Sequence, residues 1–325
     1  VLRAVGDIGD GSVSWLSPIG WAQKLRPWAG EVWWPALLLV AATALCGWAA
    51  FALSRRRDLG GGLVAPRRGP ARAARSLGGP LGLAVRLQRA SVVGWGLALV
   101  VLAVAYGSVA ESIHDFVEDN EALTDIIAAQ GDGSLVEQYV AMSFRMLALV
   151  AAGFALQSVL RIRGEETTGR AEYVLATPTS RVRFAASHLV IAFGGTVVVL
   201  AATGLGFGIS DAIVRGEADA VGQSVTAALA FAPAVWLLVG VAVALLGFAP
   251  RFTTVVWAVL AVCFVVGLFG QLLGLPQWVE NVSPFQHVPQ YPAVDLAVGP
   301  LLALTAGALA LTALGLLGVR RRDLG

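Results

Sequence analysis

Residues 161–183 read RIRGEETTGRAEYVLATPTSRVR, a densely charged segment between two apolar runs, Tyr139 to Leu160 and Phe184 to Gly208. Each flanking run is long enough to cross a bilayer, for which about 20 apolar residues suffice. Arg161, Arg163, Arg170, Arg181 and Arg183 put the segment on the cytoplasmic side, because short basic loops resist translocation. Glu165, Glu166 and Glu172 lie among these arginines. Orientation alone needs no carboxylates, whereas a docking element uses both signs to fix its register. Glu166 and Arg170 stand four apart, the supportive order on a helix, and Pro178 biases Thr177 away from helical backbone. The segment therefore predicts an amphipathic helix of roughly three turns followed by a turn.

The rest of the chain surrounds this segment with membrane spans. Of 325 residues, 57% are hydrophobic and the mean hydropathy is +0.75, outside the ~45–50% apolar content of soluble domains. Apolar runs occur at Pro35 to Leu53, Ser91 to Ala110, Tyr139 to Leu160, Phe184 to Gly208, Gln223 to Phe248, Thr253 to Gly274 and Ala297 to Val319. They predict an all-α polytopic membrane protein with seven transmembrane helices. Both cysteines, Cys46 and Cys263, fall inside spans, so no disulfide framework is indicated.

Charge along the chain sets the topology. Ser54 to Arg89 holds nine arginines against one acid, Asp58, and reads as a basic cytoplasmic linker ending in an interfacial helix at Leu81 to Arg89. Glu111 to Gln138 holds eight acids and no lysine or arginine, which places it outside, with apolar residues at near-helical spacing. A run of arginines, Arg320 to Arg322, stands just before the last three residues. Spans alternating between basic and acidic loops put the N-terminal segment outside and the C-terminus in the cytoplasm. Trp28, Trp33 and Trp34 form an interfacial aromatic belt before the first span.

A repeat organises the layout. LSPIG at Leu16 to Gly20 leads through the first span to RRRDLG at Arg55 to Gly60, and VSPFQ at Val282 to Gln286 leads through the last span to RRRDLG at Arg320 to Gly325. The separations are 39 and 38 residues. Duplicated halves of parallel topology are a transporter device. Residues 90–325 then form a complete six-span half, 61–89 a linker with an interfacial helix, and 1–60 the external loop and last span of a preceding half. On this reading the chain is a truncation that lacks most of its first half.

The stretch GEETTGRAEYVLATPTSR resembles the "EE, GR, E, LLATPVSR" segment of bacterial ATP-binding-cassette exporter permeases, particularly the actinobacterial group of polyketide-antibiotic exporters. The linker RGPARAARSLGGPLGLAVRLQR and the loop SPFQHVP are similar to that group as well. The resemblance implies a plasma-membrane exporter of hydrophobic small molecules, antibiotics or drugs. It also implies a pathway between two six-span halves, and a coupling helix docked on a separate ATPase, itself a dimer, that carries the ATP and magnesium. Glu165, Glu166, Gly169, Arg170 and Glu172 match the coupling segment. Implied partners are that ATPase, the lipid bilayer, a small hydrophobic cargo, and the missing first-half helices or a second permease copy.

Further residues stand out within the spans. Arg145 is costly in hydrocarbon and should face the bundle interior, a wet cavity or the nearer surface. Gln157, His188 and Gln271 either line a pathway or hydrogen-bond between helices. Gly204, Gly206 and Gly208 suit close helix packing. A phosphate-binding loop needs a lysine after its glycines, and the single lysine, Lys24, is not so placed. This excludes that route to ATP binding on this chain. No HExxH or paired-cysteine motif points to a metal, and nothing suggests a nucleic-acid partner. His287, Ser283 and Asp295 have the residue types of a hydrolase triad but sit in a proline-rigid loop. The alternatives to an ATP-driven exporter are an ion-coupled secondary transporter, disfavoured because none of these spans contains Asp or Glu, and a non-transport membrane protein.

Overall fold

A computed structural model describes residues 13–26, 30–56, 72, 74–118, 135–215, 219–270 and 273–322. Trp28, Gln271, the ends of both RRRDLG copies, most of the basic linker and most of the acidic external segment lie outside them. The described residues contain helices and turns and no strand. The protein is thus an all-α polytopic membrane protein. The chain divides into two compact units, residues 1–73 and 74–325.

In the first unit a 3-10 turn (Val13–Leu16) and helix α1 (Pro18–Lys24) precede helix α2 (Trp34–Arg55). Trp15 stacks on Trp34 with ring centroids 5.1 Å apart, and the Lys24 ammonium sits 4.4 Å from the Trp15 ring centre. These contacts tie the turn to the start of the span. Apart from Pro35, no residue of α2 is buried.

The second unit opens with helix α3 (Pro80–Glu118), which runs 39 residues without a break. The interfacial helix expected at Leu81 to Arg89 is therefore continuous with the second span. Helix α4 (Leu135–Thr167) is the central element: Phe144, Leu147, Ala151, Phe154, Leu156 and Val159 along it are buried. A helix that is apolar and buried on most faces belongs inside a bundle. Helix α5 (Arg170–Leu175) and helix α6 (Arg181–Arg215) follow. α6 packs along α3, and Asp211 near its end is buried. The spans bounded on hydropathy contain no acid, but the helix that forms around the fourth span does.

The fifth span is interrupted. Helix α7 (Asp219–Ala230) ends at Phe231 and helix α8 (Ala232–Phe248) restarts there with Pro233 in its first turn, where a missing N–H costs nothing. The sixth span is shorter than its apolar run: helix α9 (Val255–Phe269) has 15 residues, about 22 Å at ~1.5 Å per residue. Six helices are long and apolar enough to cross a membrane, and α9 is a shorter apolar one, among the described residues. A one-turn helix α10 (Gln277–Glu280), a 3-10 turn (Pro284–His287) and the final helix α11 (Val298–Arg321) complete the unit.

Small residues set the closest helix approaches, as expected where apolar lipid offers no hydrophobic drive and packing must supply the attraction. α8 and α11 meet through Gly240, Gly247, Gly315 and Gly318; a Cβ on Gly318 would stand 2.7 Å from the Gly247 carbonyl carbon. Gly204 and Gly208 of α6 meet α7, where added Cβ atoms would lie 2.6 Å from Val225 Cα and 2.7 Å from Val221 Cα. Gly206 faces Val100 of α3.

Candidate functional site

The charged segment forms a braced corner rather than the continuous three-turn helix expected for it. α4 carries on through Glu165 and Glu166 to Thr167, and Gly169 then takes the left-handed conformation at φ 71°. That backbone costs a non-glycine residue about 1–2 kcal/mol, so the chain breaks where glycine stands. The six-residue helix α5 follows, closed by backbone bonds from Ala176 to Glu172 (2.8 Å) and from Thr177 to Val174 (3.2 Å). Pro178 ends the corner before α6 begins at Arg181.

The ion pairs differ from the expected Glu166–Arg170 pairing. Arg170 Nε donates to Glu165 Oε2 at 2.8 Å, and Arg161 Nε stands 3.4 Å from Glu165 Oε1. Glu166 is held by Arg163 at 3.5 Å and by the Arg322 guanidinium, which comes from the end of α11. Arg181 in turn donates to the Arg322 carbonyl oxygen. Both carboxylates are buried: the side chains of Glu165 and Glu166 are 10% and 7% exposed. A four-residue spacing on one helix cannot survive the break at Gly169, so Arg170 turns back to Glu165 while Glu166 faces α11.

The outward face of the corner carries different residues. Glu172, Tyr173, Ala176, Thr177 and Pro178 are exposed, and Tyr173 is 81% exposed. The sequence gives Tyr173 no evident role, although an aromatic side chain inside a run of charges is a signal of one. In the sequence Arg322 is one of a run of basic residues, yet its guanidinium joins two helix ends 156 residues apart.

Behind the corner lies a polar network across α3, α4 and α6. His188 Nδ1 is 2.9 Å from Gln88 Nε2, Ser158 donates to Gln88 Oε1, and the His188 ring meets Phe184 edge-on at 5.1 Å. His188, Gln88 and Ser158 are all buried, so this is an interhelical hydrogen-bond network. Gln157 lies outside it: its side-chain oxygen accepts from Trp95 Nε1 at 2.7 Å and from Ser91 at 3.4 Å. It lines an open cavity of about 540 Å³ with Gln88, Ser158, Arg161 and Trp257. Arg145 is remote from this network, 20 residues before Glu165 on the same helix, or about 30 Å at ~1.5 Å per residue. It lines a second cavity of about 450 Å³ with Glu280 and Gln290. The structure thus gathers Glu165, Glu166, Gly169, Arg170 and Glu172 at one end of the bundle and His188 just behind them, while Arg145 stands apart. Gln271 lies outside the described residues.

Residues 77–320 match the family described as the C-terminal domain of the multidrug efflux system permease Rv1217c. The multidrug efflux system permease protein Rv1217c of Mycobacterium tuberculosis is 42% identical over 325 aligned residues, covering 99% of this chain and 59% of that protein. The chain therefore spans somewhat over half the length of this relative. An all-helical bundle with apolar spans and a braced charged corner, matched over most of its length, belongs to the Rv1217c-type multidrug efflux permease family.

Proposed function

We propose that this chain is a membrane-spanning part of an ATP-driven exporter of hydrophobic small molecules, and that a separate ATP-hydrolysing subunit docks on residues 161–183. The observation that carries the reading is the corner itself. A six-residue helix is too short to be stable alone, yet Arg170 ties it to Glu165 of α4, three further arginine contacts on Glu165 and Glu166 hold the end of α4, and Glu172 and Tyr173 face outward. A buried, paired base with an aromatic tip and a charge on its exposed face is the build of a docking element, since aromatic anchors dominate binding energy at interfaces. Glu165, Glu166 and Arg170 then transmit force, and Glu172 and Tyr173 make contact. Gly169 sets the angle between them.

The name of the relative supports drug efflux as the activity. The basic residues around the corner and at the end of α11 support a cytoplasmic position for both. On this topology the ATPase would supply ATP and magnesium, and its closure would push α5 and tilt α4, the helix at the centre of the bundle. The remainder of the pathway would come from a first half or a second permease copy. The test uses the full natural permease with its ATPase in cells loaded with a hydrophobic fluorescent dye. Dye efflux should stop when the ATPase is inactivated, persist when the proton gradient is collapsed, and fall at least tenfold in Tyr173→Ala with membrane levels unchanged. Efflux that survives ATPase inactivation but stops with the gradient would establish an ion-coupled transporter instead.

A further inference from the structure

The end of α4 remote from the charged corner carries a second site. α9 is only 15 residues long, and the chain beyond it does not cross directly to the last span. Residues 276–296 instead fold back beside the helices through α10 and the 3-10 turn. Phe285 and Val288 are buried there, and the Phe285 ring lies over Phe231, where α7 breaks into α8. Irregular backbone is tolerated at membrane depth only where it is buried in protein or lines a wet cavity. Here it does both. Glu280, Gln286 and Gln290 from this segment line the cavity of about 450 Å³ together with Arg145.

Arg145 has no hydrogen bond or ion pair within 4 Å among the described residues, and its Nε is buried without a partner. Glu280 is near enough for electrostatic attraction but is not bonded to it. A buried guanidinium nitrogen without a partner and a carboxylate lining the same open cavity suit a ligand that carries both charges, and ionisable groups inside membrane proteins mark ligand paths. Met142 and Leu268 supply apolar lining beside them. The volume falls within the range of about 300–1,000 Å³ typical of small-molecule sites.

We propose that this cavity binds a zwitterionic amphiphile, its anionic group on Arg145, its cationic group toward Glu280, and its apolar body along Met142 and Leu268. The inference rests on the exporter reading in that it gives the cargo a chemical class. The shared chemistry, an anion and an ammonium on one apolar body, occurs in membrane lipids and in small amphiphiles alike.

The test is equilibrium binding to the full permease purified in a neutral maltoside detergent. Three fluorescent probes with one common tail carry a phosphoethanolamine, a carboxylate or a trimethylammonium head. The phosphoethanolamine probe should bind at least tenfold tighter than the other two. Arg145→Gln and Glu280→Gln should each lose about that factor, Arg145→Lys should lose less, and thermal unfolding should report that the variants are folded. Displacement by a diacyl phosphatidylethanolamine, or by a compact single-chain zwitterion, upholds the site and tells a lipid source from a cargo. Equal binding of the three heads overturns the proposal, as does unchanged binding in Arg145→Gln, or a preference for the carboxylate probe that ignores Glu280→Gln. None of these results depends on an ATPase, so failure here leaves the docking reading standing.

Discussion

Arg322 and Glu166 show what single residues contribute to this protein. The Glu166 side chain is 7% exposed and Arg322 14% exposed, so the pair lies in a low-dielectric setting where removing one partner strands the other. Glu166→Ala should therefore destabilise the purified protein by on the order of 3 kcal/mol, seen as a lower midpoint in thermal unfolding. Glu172→Arg and Tyr173→Ala touch exposed positions and should stay within about 0.5 kcal/mol of the parent. Loss of function in the latter two, with stability kept, would assign contact rather than bracing. Gln88→Leu should cost about 1–3 kcal/mol, because His188 and Ser158 are both buried and would lose their shared partner. Sequence made the acids of the corner visible as a group but could not tell buried from exposed members. Glu165, Glu166 and Glu172 look alike in a charged run, and their division depends on Arg322, which arrives from far along the chain.

At the scale of elements, the corner depends on a backbone angle and the bundle on small residues. Gly169→Ala should place a Cβ in left-handed backbone at a cost of about 1–2 kcal/mol. It should reorient α5 and lower efflux more than it lowers the unfolding midpoint. Gly315→Leu should be worse for folding, since Val243 and Gly247 of α8 lie directly against that position. A loss above about 3 kcal/mol, or no membrane-integrated protein at all, is the expected outcome, read by fluorescence size exclusion in detergent. Hydropathy located every apolar helix because twenty-residue runs leave little choice of state. Boundaries were less legible. α3 runs through the expected interfacial helix, since nothing between Pro80 and Glu118 breaks it, and α9 stops at Phe269, short of the apolar run that ends at Gly274. Composition reports that residues prefer hydrocarbon, not that they cross it.

At the scale of the whole molecule, α4 spans the distance between two chemically distinct ends. One end is the ion-paired corner; the other is the cavity around Arg145, about 30 Å away by helix rise. The repeat of RRRDLG is informative here, because in its second copy the third arginine clamps the end of α11 onto Glu166. The end of this basic run thus ties two helices together. The central claim is that a separate ATP-hydrolysing subunit grips the face around Tyr173. A photo-crosslinking amino acid placed at position 173 of the full natural permease, in native membranes, tests it directly. The account predicts a crosslink to an ATP-hydrolysing polypeptide that changes in yield when nucleotide is added. A position 173 reached only by membrane-impermeant reagents from outside sealed cells, with no such crosslink, would contradict it.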